Sequence, residues 1–493
     1  MPNRYNHRLY QINTRIWINQ LSETLNRSAS LDDVPEEYLE GFTDLGFDWV
    51  YLLGVWQTSK YGRSLVRSNQ EWRKDYIRVL PDLREEDMCG SCFAIPGYIV
   101  SEELGGDSEL ERFRDRLHKH KLRLMLDFIP NHTAIDHPWV DENPQFYIHG
   151  TEADLLNEPH NYIRLSTSRG ELIFAHGRDP YFSGWSDTLQ LNYGNPTLQE
   201  AMAGELKKIS LLCDGVRCDM AMLVIPEVFQ NTWGISARSF WPWAIERVQE
   251  SLPEFVFLAE VYWGLEWSLQ KQGFSYTYDK KLYDRIIDLH ALPVREHLQA
   301  DLAFQYKTVR FLENHDERRI AEIFPLEIHK AAAIITYLLP GMQFFHQGQL
   351  EGCKIKIPVQ LCRKPEENPD IKIEQFYHQL LNCMKYPAFL SGDWQLLNII
   401  PAWEGNWTWN NFIAYAWKGT GEQKVVVVVN YSPHQCQCIM KLPFLELRNE
   451  RYMLRDLMGF TAFEQEGETL LDPGLYIDVK EWGYHVFELV KSN

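Results

Sequence analysis

The sequence predicts a (β/α)8 barrel, an α/β fold, and three observations carry that prediction. Eight strand-like runs alternate with helix-like runs over roughly residues 9 to 346. Such alternation builds a parallel sheet, and eight units close it. Second, runs such as Val256-Phe-Leu-Ala-Glu-Val-Tyr-Trp263 are apolar on both faces, which suits strands covered by helices. Third, three runs end in acids: Glu260 here, Asp219 in Asp214-Gly-Val-Arg-Cys-Asp219, and Asp316 in Val309-Arg-Phe-Leu-Glu-Asn-His-Asp316. A carboxyl at the end of a buried strand is costly unless it is paired or used. A single one reads as a satisfied core acid; three favour use.

The elements follow in order. Leu9 to Ile18, rich in Ile, Tyr and Trp, predicts the first strand. A helix at Pro35 to Leu45 and a strand at Trp49 to Leu53 come next. Gly54 to Gly106, full of Ser, Arg, Gly and Pro, predicts a long irregular segment. A helix at Ser108 to Lys121 leads into the strand Leu122 to Asp127. From Thr133 to Leu191 periodicity fades, and so long a stretch predicts an inserted subdomain. Helices at Thr197 to Leu212 and Ser239 to Ser251 flank the strand Gly215 to Asp219 and precede the one carrying Glu260. Gly273 to Tyr278, Val309 to Leu312 and Gln343 to His346 supply the last three strands, with helices starting near Tyr283 and Ile328.

After about Leu390 short strands sit between Gly, Pro and Asn turns: 412–417, 424–430, 436–442, 476–479 and 484–489. These predict a separate C-terminal antiparallel β domain. The expected division is a barrel over 1–132 and 192–390, an inserted subdomain over 133–191, and the β domain over 391–493.

Composition narrows the partners. The chain has 493 residues, is 45% hydrophobic, and carries a net charge of −19. That balance argues against nucleic acid and anionic membrane and suits a neutral substrate. The nine cysteines are odd in number and scattered, which argues against a secreted disulfide framework and for the cytoplasm. Cys89-Gly-Ser-Cys92 lacks further ligands for zinc and reads as structural. The start of the sequence has no apolar signal core, and the longest apolar run, 331–342, falls short of the ~20 residues of a membrane span.

In a (β/α)8 barrel the chemistry sits at the C-terminal ends of the strands. Asp127, Asp219, Glu260 and Asp316 all fall there. Two carboxylates flanking a bond are what glycoside hydrolysis needs, one as nucleophile and one as acid/base. Arg217 lies two residues before Asp219, so strand alternation puts both on one face, where a cation favours the ionised carboxylate. Taken alone, that pair also reads as a structural ion pair. Ala259, Val261, Tyr262 and Trp263 give Glu260 an apolar setting, which raises a carboxyl pKa and suits a proton donor.

Asp127-Phe-Ile-Pro-Asn-His132, Gly215-Val-Arg-Cys-Asp219, Glu260-Val and Glu313-Asn-His-Asp316 resemble, in order and placement, the four signature segments of the α-amylase family, glycoside hydrolase family 13. Gln190-Leu-Asn-Tyr-Gly-Asn-Pro196 resembles the segment closing that family's inserted domain, and 340–348 its last barrel strand. The resemblance covers roughly residues 9 to 390; it implies that the insert over 133–191 is that family's B domain and that the tail over 391–493 is its C-terminal antiparallel β-sandwich.

It implies roles. Asp219 would be the nucleophile, Glu260 the acid/base and Asp316 the stabiliser of the transition state. His132 and His315 would bind hydroxyls of the sugar at the cleavage point, with Asp127 and Arg217 supporting. Phe93 stands at what resembles a stacking platform where tyrosine is usual. Asn131 matches a calcium ligand in many relatives but has no firm set of partner ligands, so no cofactor is required and calcium is left open.

Two departures weigh against endo-cleavage of starch. Met222 and Leu223 replace the Lys and His that follow the nucleophile in many amylases, and Gln190 replaces an Asp. The expected activity is a retaining glycoside hydrolase on α-glucosidic bonds in α-glucans or gluco-oligosaccharides. The alternatives are a transglycosylase or hydrolase of a small α-glucoside (sucrose, trehalose or glucosylglycerol type), or an inactive sugar- or protein-binding member. The three acids favour an enzyme.

Overall fold

The computed structural model describes residues 6–421 and 423–492. Eight parallel strands close into a barrel: β1 (Arg8–Asn13), β2 (Trp49–Leu53), β3 (Arg123–Phe128), β4 (Gly215–Cys218), β5 (Val256–Ala259), β6 (Tyr276–Tyr278), β7 (Thr308–Arg310) and β8 (Met342–His346). Each pairs with its neighbours in sequence, and β1 closes the ring onto β8. Nearly every strand residue is buried, as double-sided coverage by helices requires. Among the described residues, no helix is long and apolar enough to cross a membrane.

Several expected boundaries shift, each for a local reason. The first strand stops at Asn13 instead of running to Ile18. The Asn13 side chain accepts a hydrogen bond from the Ile16 N–H and starts the helix Thr14–Leu25. The stretch expected to be irregular, 54–106, contains the helices Lys60–Ser68 and Gln70–Val79, capped by Ser59 and Asn69. They bury only Gly62, Val66 and Tyr76 between them, so no apolar stripe announces them. Asp127 lies one residue inside β3, not at its end.

Between β3 and β4 the chain leaves the barrel and returns. The strand His132–Ala134 pairs antiparallel with Thr188–Gln190, tying the exit to the return. A hairpin of Tyr162–Thr167 and Gly170–Ala175 lies between them.

The C-terminal part holds a six-stranded sheet and a three-stranded sheet, both antiparallel, around a second apolar core. Beyond the expected strands, Asp393–Leu396, Ile399–Ile400, Arg451–Asp456 and Ala462–Glu466 also pair. The first and third alternate buried with exposed residues and the last buries none fully, which dilutes their apolar signal. Tyr415, Trp417 and Tyr431 fasten this part to the barrel by donating to the carbonyls of Ile334, Leu338 and Ile286.

Candidate active site

Register builds the site. Asp127 on β3 stands opposite Arg217 on β4, which stands opposite Leu258 on β5. Alternation then brings Asp219 and Glu260, two residues further along, to the same inward face. Both acids sit one step past their strands and still extend the ladder. The Asp219 N–H donates to Phe128 O at 2.8 Å and the Glu260 N–H to Cys218 O at 3.1 Å.

One guanidinium holds three acids. Arg217 Nη1 lies 2.8 Å from Asp219 Oδ1 and 3.2 Å from Asp127 Oδ1, and Nη2 lies 2.7 Å from Glu260 Oε2. All four side chains are buried. Glu260 therefore sits in a polar cradle, not the apolar setting its neighbours suggested. The Tyr262 hydroxyl donates to its Oε1 at 2.7 Å and the Met220 N–H to its Oε2 at 2.7 Å. Met220 reaches that position with φ +44°, a left-handed backbone that is uncommon for a bulky residue.

The charge balance also departs from expectation. Burial pushes the Asp219 carboxyl up to about 8; Arg217 opposes this, while Glu260 and Asp127 add to it. Burial likewise raises Asp127, against Arg217 and the Tyr51 hydroxyl that donates to it at 2.6 Å. One cation shared among three acids is too little to hold Asp219 at its ordinary value.

Asp316 behaves differently. Its side chain is 44% exposed, and the His315 ring at 3.0 Å holds its carboxyl well below the ordinary range. Gln11 Nε2 donates to His315 Nδ1 at 2.9 Å, which leaves the ring proton on Nε2, facing Asp316. Phe93 stacks on the His315 ring at 5.3 Å and lies 5.2 Å from the Arg217 guanidinium. Burial lowers His132 to about 4, so it is a neutral ring at neutral pH, packed 5.0 Å from Trp185.

A cavity of about 380 Å³ opens onto these groups. Asp219, Glu260, Asp316, His132 and Phe93 line it; Asp127 and Arg217 stand behind the acids. Sequence reasoning missed Tyr262, Trp72, Trp185, Asp187 and Gln360, which also line it. For Tyr262 the signal was present: it lies two residues after Glu260. The others come from the inserted part, the helix Gln70–Val79 and the loop after β8, where no apolar periodicity points inward.

The residues at Asn131 do not fit a calcium ion. Gln190 Nε2 donates to Asn131 Oδ1 at 2.9 Å, and Asn131 Nδ2 donates back to Gln190 Oε1 at 3.2 Å. A donor thus faces the oxygen a cation would need. Among the described residues, no group of three His, Cys, Asp or Glu side chains is placed to hold a metal. The Cys89 thiol donates to the Gln360 carbonyl of the loop after β8 at 3.2 Å, and this contact across the fold was not legible from the Cys-x-x-Cys spacing.

Comparison with known proteins agrees with this geometry. The chain is 24% identical over 295 residues to Alpha-amylase 3 of Dictyoglomus thermophilum, covering 55% of this chain and 54% of that one. It is 23% identical over 343 residues to Alpha-amylase MalA of Haloarcula japonica, covering 67% of this chain and 46% of that one. The chain thus spans about half the length of these curated relatives. A crystal structure of the maltogenic alpha-amylase AmyB from Thermotoga neapolitana superposes with a TM-score of 0.69 at 17% identity, covering 98% and 99% of the two chains, and shows a common fold. The family model for the alpha amylase catalytic domain matches residues 96–374, more than half the chain and the stretch holding all three acids. The barrel, the acids at its strand ends and that match together place the chain in the α-amylase family.

Proposed function

We propose that this protein is a retaining glycoside hydrolase acting on α-glucosidic bonds of short α-glucans and gluco-oligosaccharides. The observation that carries the reading is the meeting of Asp219, Glu260 and Asp316 on one cavity, with the first two held by the two ends of a single guanidinium. Nitrogens of one fork keep the two carboxyls close. That suits the roughly 5 to 5.5 Å of double displacement better than the roughly 6.5 to 9.5 Å that admits a water between them.

Asp219 attacks the anomeric carbon while Glu260 gives its proton to the leaving oxygen. Water, activated by Glu260, then releases the sugar. The reactive form has Asp219 ionised and Glu260 protonated. Burial and the crowding of acids around Arg217 raise Asp219, which keeps a proton within the cluster near neutral pH. Asp316, charged beside His315, faces the oxocarbenium-like centre. His132 takes a hydroxyl of that sugar and Phe93 offers it a face, while His315, whose two ring nitrogens face Gln11 and Asp316, holds Asp316 in place of the sugar hydroxyl expected for it. Asp127 and Arg217 orient the acids. No calcium is bound at Asn131 in this reading, because the amide pair with Gln190 occupies its place.

A second reading, transfer to or cleavage of a small α-glucoside, is favoured by Met222 and Leu223. Both are buried, at 0% and 3% exposure, and offer the leaving group no hydrogen bond. The scatter and odd number of the cysteines support work in a reducing cytoplasm. A product time course on soluble starch, maltooligosaccharides, isomaltose, sucrose and glucosylglycerol separates the readings. Proton NMR of the first product should show retained α-configuration; a β-anomer would overturn the double displacement.

A further inference from the structure

The cavity contains a carboxyl that the mechanism leaves unused. Asp187 stands just before the strand Thr188–Gln190, is 8% exposed, and lines the cavity. Among the described residues, its carboxylate has no hydrogen-bond or ion-pair partner. Every other carboxyl on the cavity wall has one. Burial pushes Asp187 up to about 6. Its oxygens reach the open cavity, where a ligand can supply the partner that the protein does not.

Its surroundings say which ligand. Trp72, Ser91 and Gln360 line the same cavity, from the 54–106 segment and the loop after β8. They combine a ring face with neutral hydrogen-bonding groups, as a sugar requires. Asp187 packs beside the Gly62 turn of the segment that also supplies Phe93, and its own segment holds Trp185 against His132. The leaving group belongs beside Glu260, whose carboxyl Tyr262 and Met220 hold. About 380 Å³ is near the lower end of ligand pockets, which run from roughly 300 Å³ to 1,000 Å³.

We propose that Asp187 is a specificity-determining residue that accepts hydroxyl hydrogen bonds from the donor-side sugar next to the one at the catalytic acids. The site then prefers a maltosyl-sized donor over a glucosyl one. This rests on the glycosidase reading and names its donor.

The test compares α-maltosyl fluoride with α-glucosyl fluoride for the wild type, Asp187→Asn and Asp187→Ala. Hydrogen bonds to a charged group predict that Asp187→Ala lowers the ratio of kcat/KM, maltosyl over glucosyl, by about 10- to 100-fold. Asp187→Asn should show a smaller drop. Thermal unfolding provides an independent readout. A carboxyl raised above its unfolded value of 3.8 weakens the fold as pH rises from about 4 through about 6. Asp187→Asn should therefore raise Tm at pH 8 and not at pH 4. An unchanged ratio, or equal losses on both fluorides, would overturn the assignment; so would a lowered Tm at pH 8, which marks a structural role. A wild type inert on both fluorides would overturn the glycosidase reading itself, and this inference with it.

Discussion

Replacing Arg217 by Met tests the centre of the site, because the guanidinium is the one cation touching Asp127, Asp219 and Glu260 together. The residue is 0% exposed, so methionine fills similar space while the acids lose their common partner. Removing one member of a buried ion pair costs about 3–5 kcal/mol. At about 2 °C per kcal/mol for a large domain, Tm should fall by about 6–10 °C. The loss should depend on pH with a definite sign. Asp219 is already raised to about 8, and without the cation its pKa rises further. A group with a raised folded pKa stabilises below that value and loses its contribution as pH climbs from about 4 towards it. The Tm deficit should therefore be larger at pH 8 than at pH 5. At pH 7 less Asp219 would be ionised, so kcat should fall by more than about 100-fold, with partial recovery towards alkaline pH. Differential scanning calorimetry at both pH values and initial rates on α-glucosyl fluoride read these effects. A deficit larger at pH 5 would refute the electrostatic reasoning. An unchanged kcat would show that the acids do not need the bridge. Arg217→Lys should fall between, since a single ammonium cannot span both acids as a fork does.

Further outcomes follow from the same geometry. Asp219→Ala should abolish turnover on every substrate, whereas Glu260→Gln should keep much of its rate on a glycosyl fluoride and respond to azide. The reverse pattern would exchange their roles. Tyr262→Phe removes the 2.7 Å donor to Glu260 and should cost about tenfold or more in kcat/KM with little change in Tm; an equal loss of both would mean a packing role. EDTA should leave Tm and activity unchanged. Gln190→Leu should lower Tm by leaving the buried Asn131 amide without its partner, at about 1–3 kcal/mol. A Tm drop with EDTA that calcium restores would reverse that view.

What the sequence made legible was whatever repeats or carries a local signal. The barrel strands are apolar on both faces, so their number and order could be read directly, and the acids stood out because each breaks an apolar run. The inward direction of Arg217 followed from its spacing to Asp219. Its reach to Glu260 did not, because that contact joins residues from neighbouring strands and depends on register. The apolar setting inferred for Glu260 was wrong for a related reason. Tyr262 is apolar by composition, yet its hydroxyl is turned onto the carboxylate, and the Met220 N–H arrives from another strand end. The helices Lys60–Ser68 and Gln70–Val79 stayed hidden because they bury so little. Asp187 stayed hidden because a carboxyl in a long polar insert looks like any solvated one.

The loop after the nucleophile shows how one departure reorganises a wall of the site. Positions 222 and 223 hold apolar residues, and the short helix Ala221–Val224 turns both into the core. Core packing there fixes the backbone of Met220, and that backbone delivers an N–H to Glu260. The loop thus supports Glu260 from behind and presents nothing polar from positions 222 and 223. What faces outward nearby is aromatic. Trp263, with φ +62°, is 42% exposed and meets the 69% exposed Tyr181 of the inserted part edge to face at 5.1 Å. Ring faces hold a sugar by stacking and fix its rotation less firmly than charged hydrogen bonds do. In the proposed reading, leaving-group affinity rests on contact area with such rings and not on Lys or His donors. Losing a sugar from the leaving side of an oligosaccharide should consequently cost this protein less than losing one on the side of Asp187.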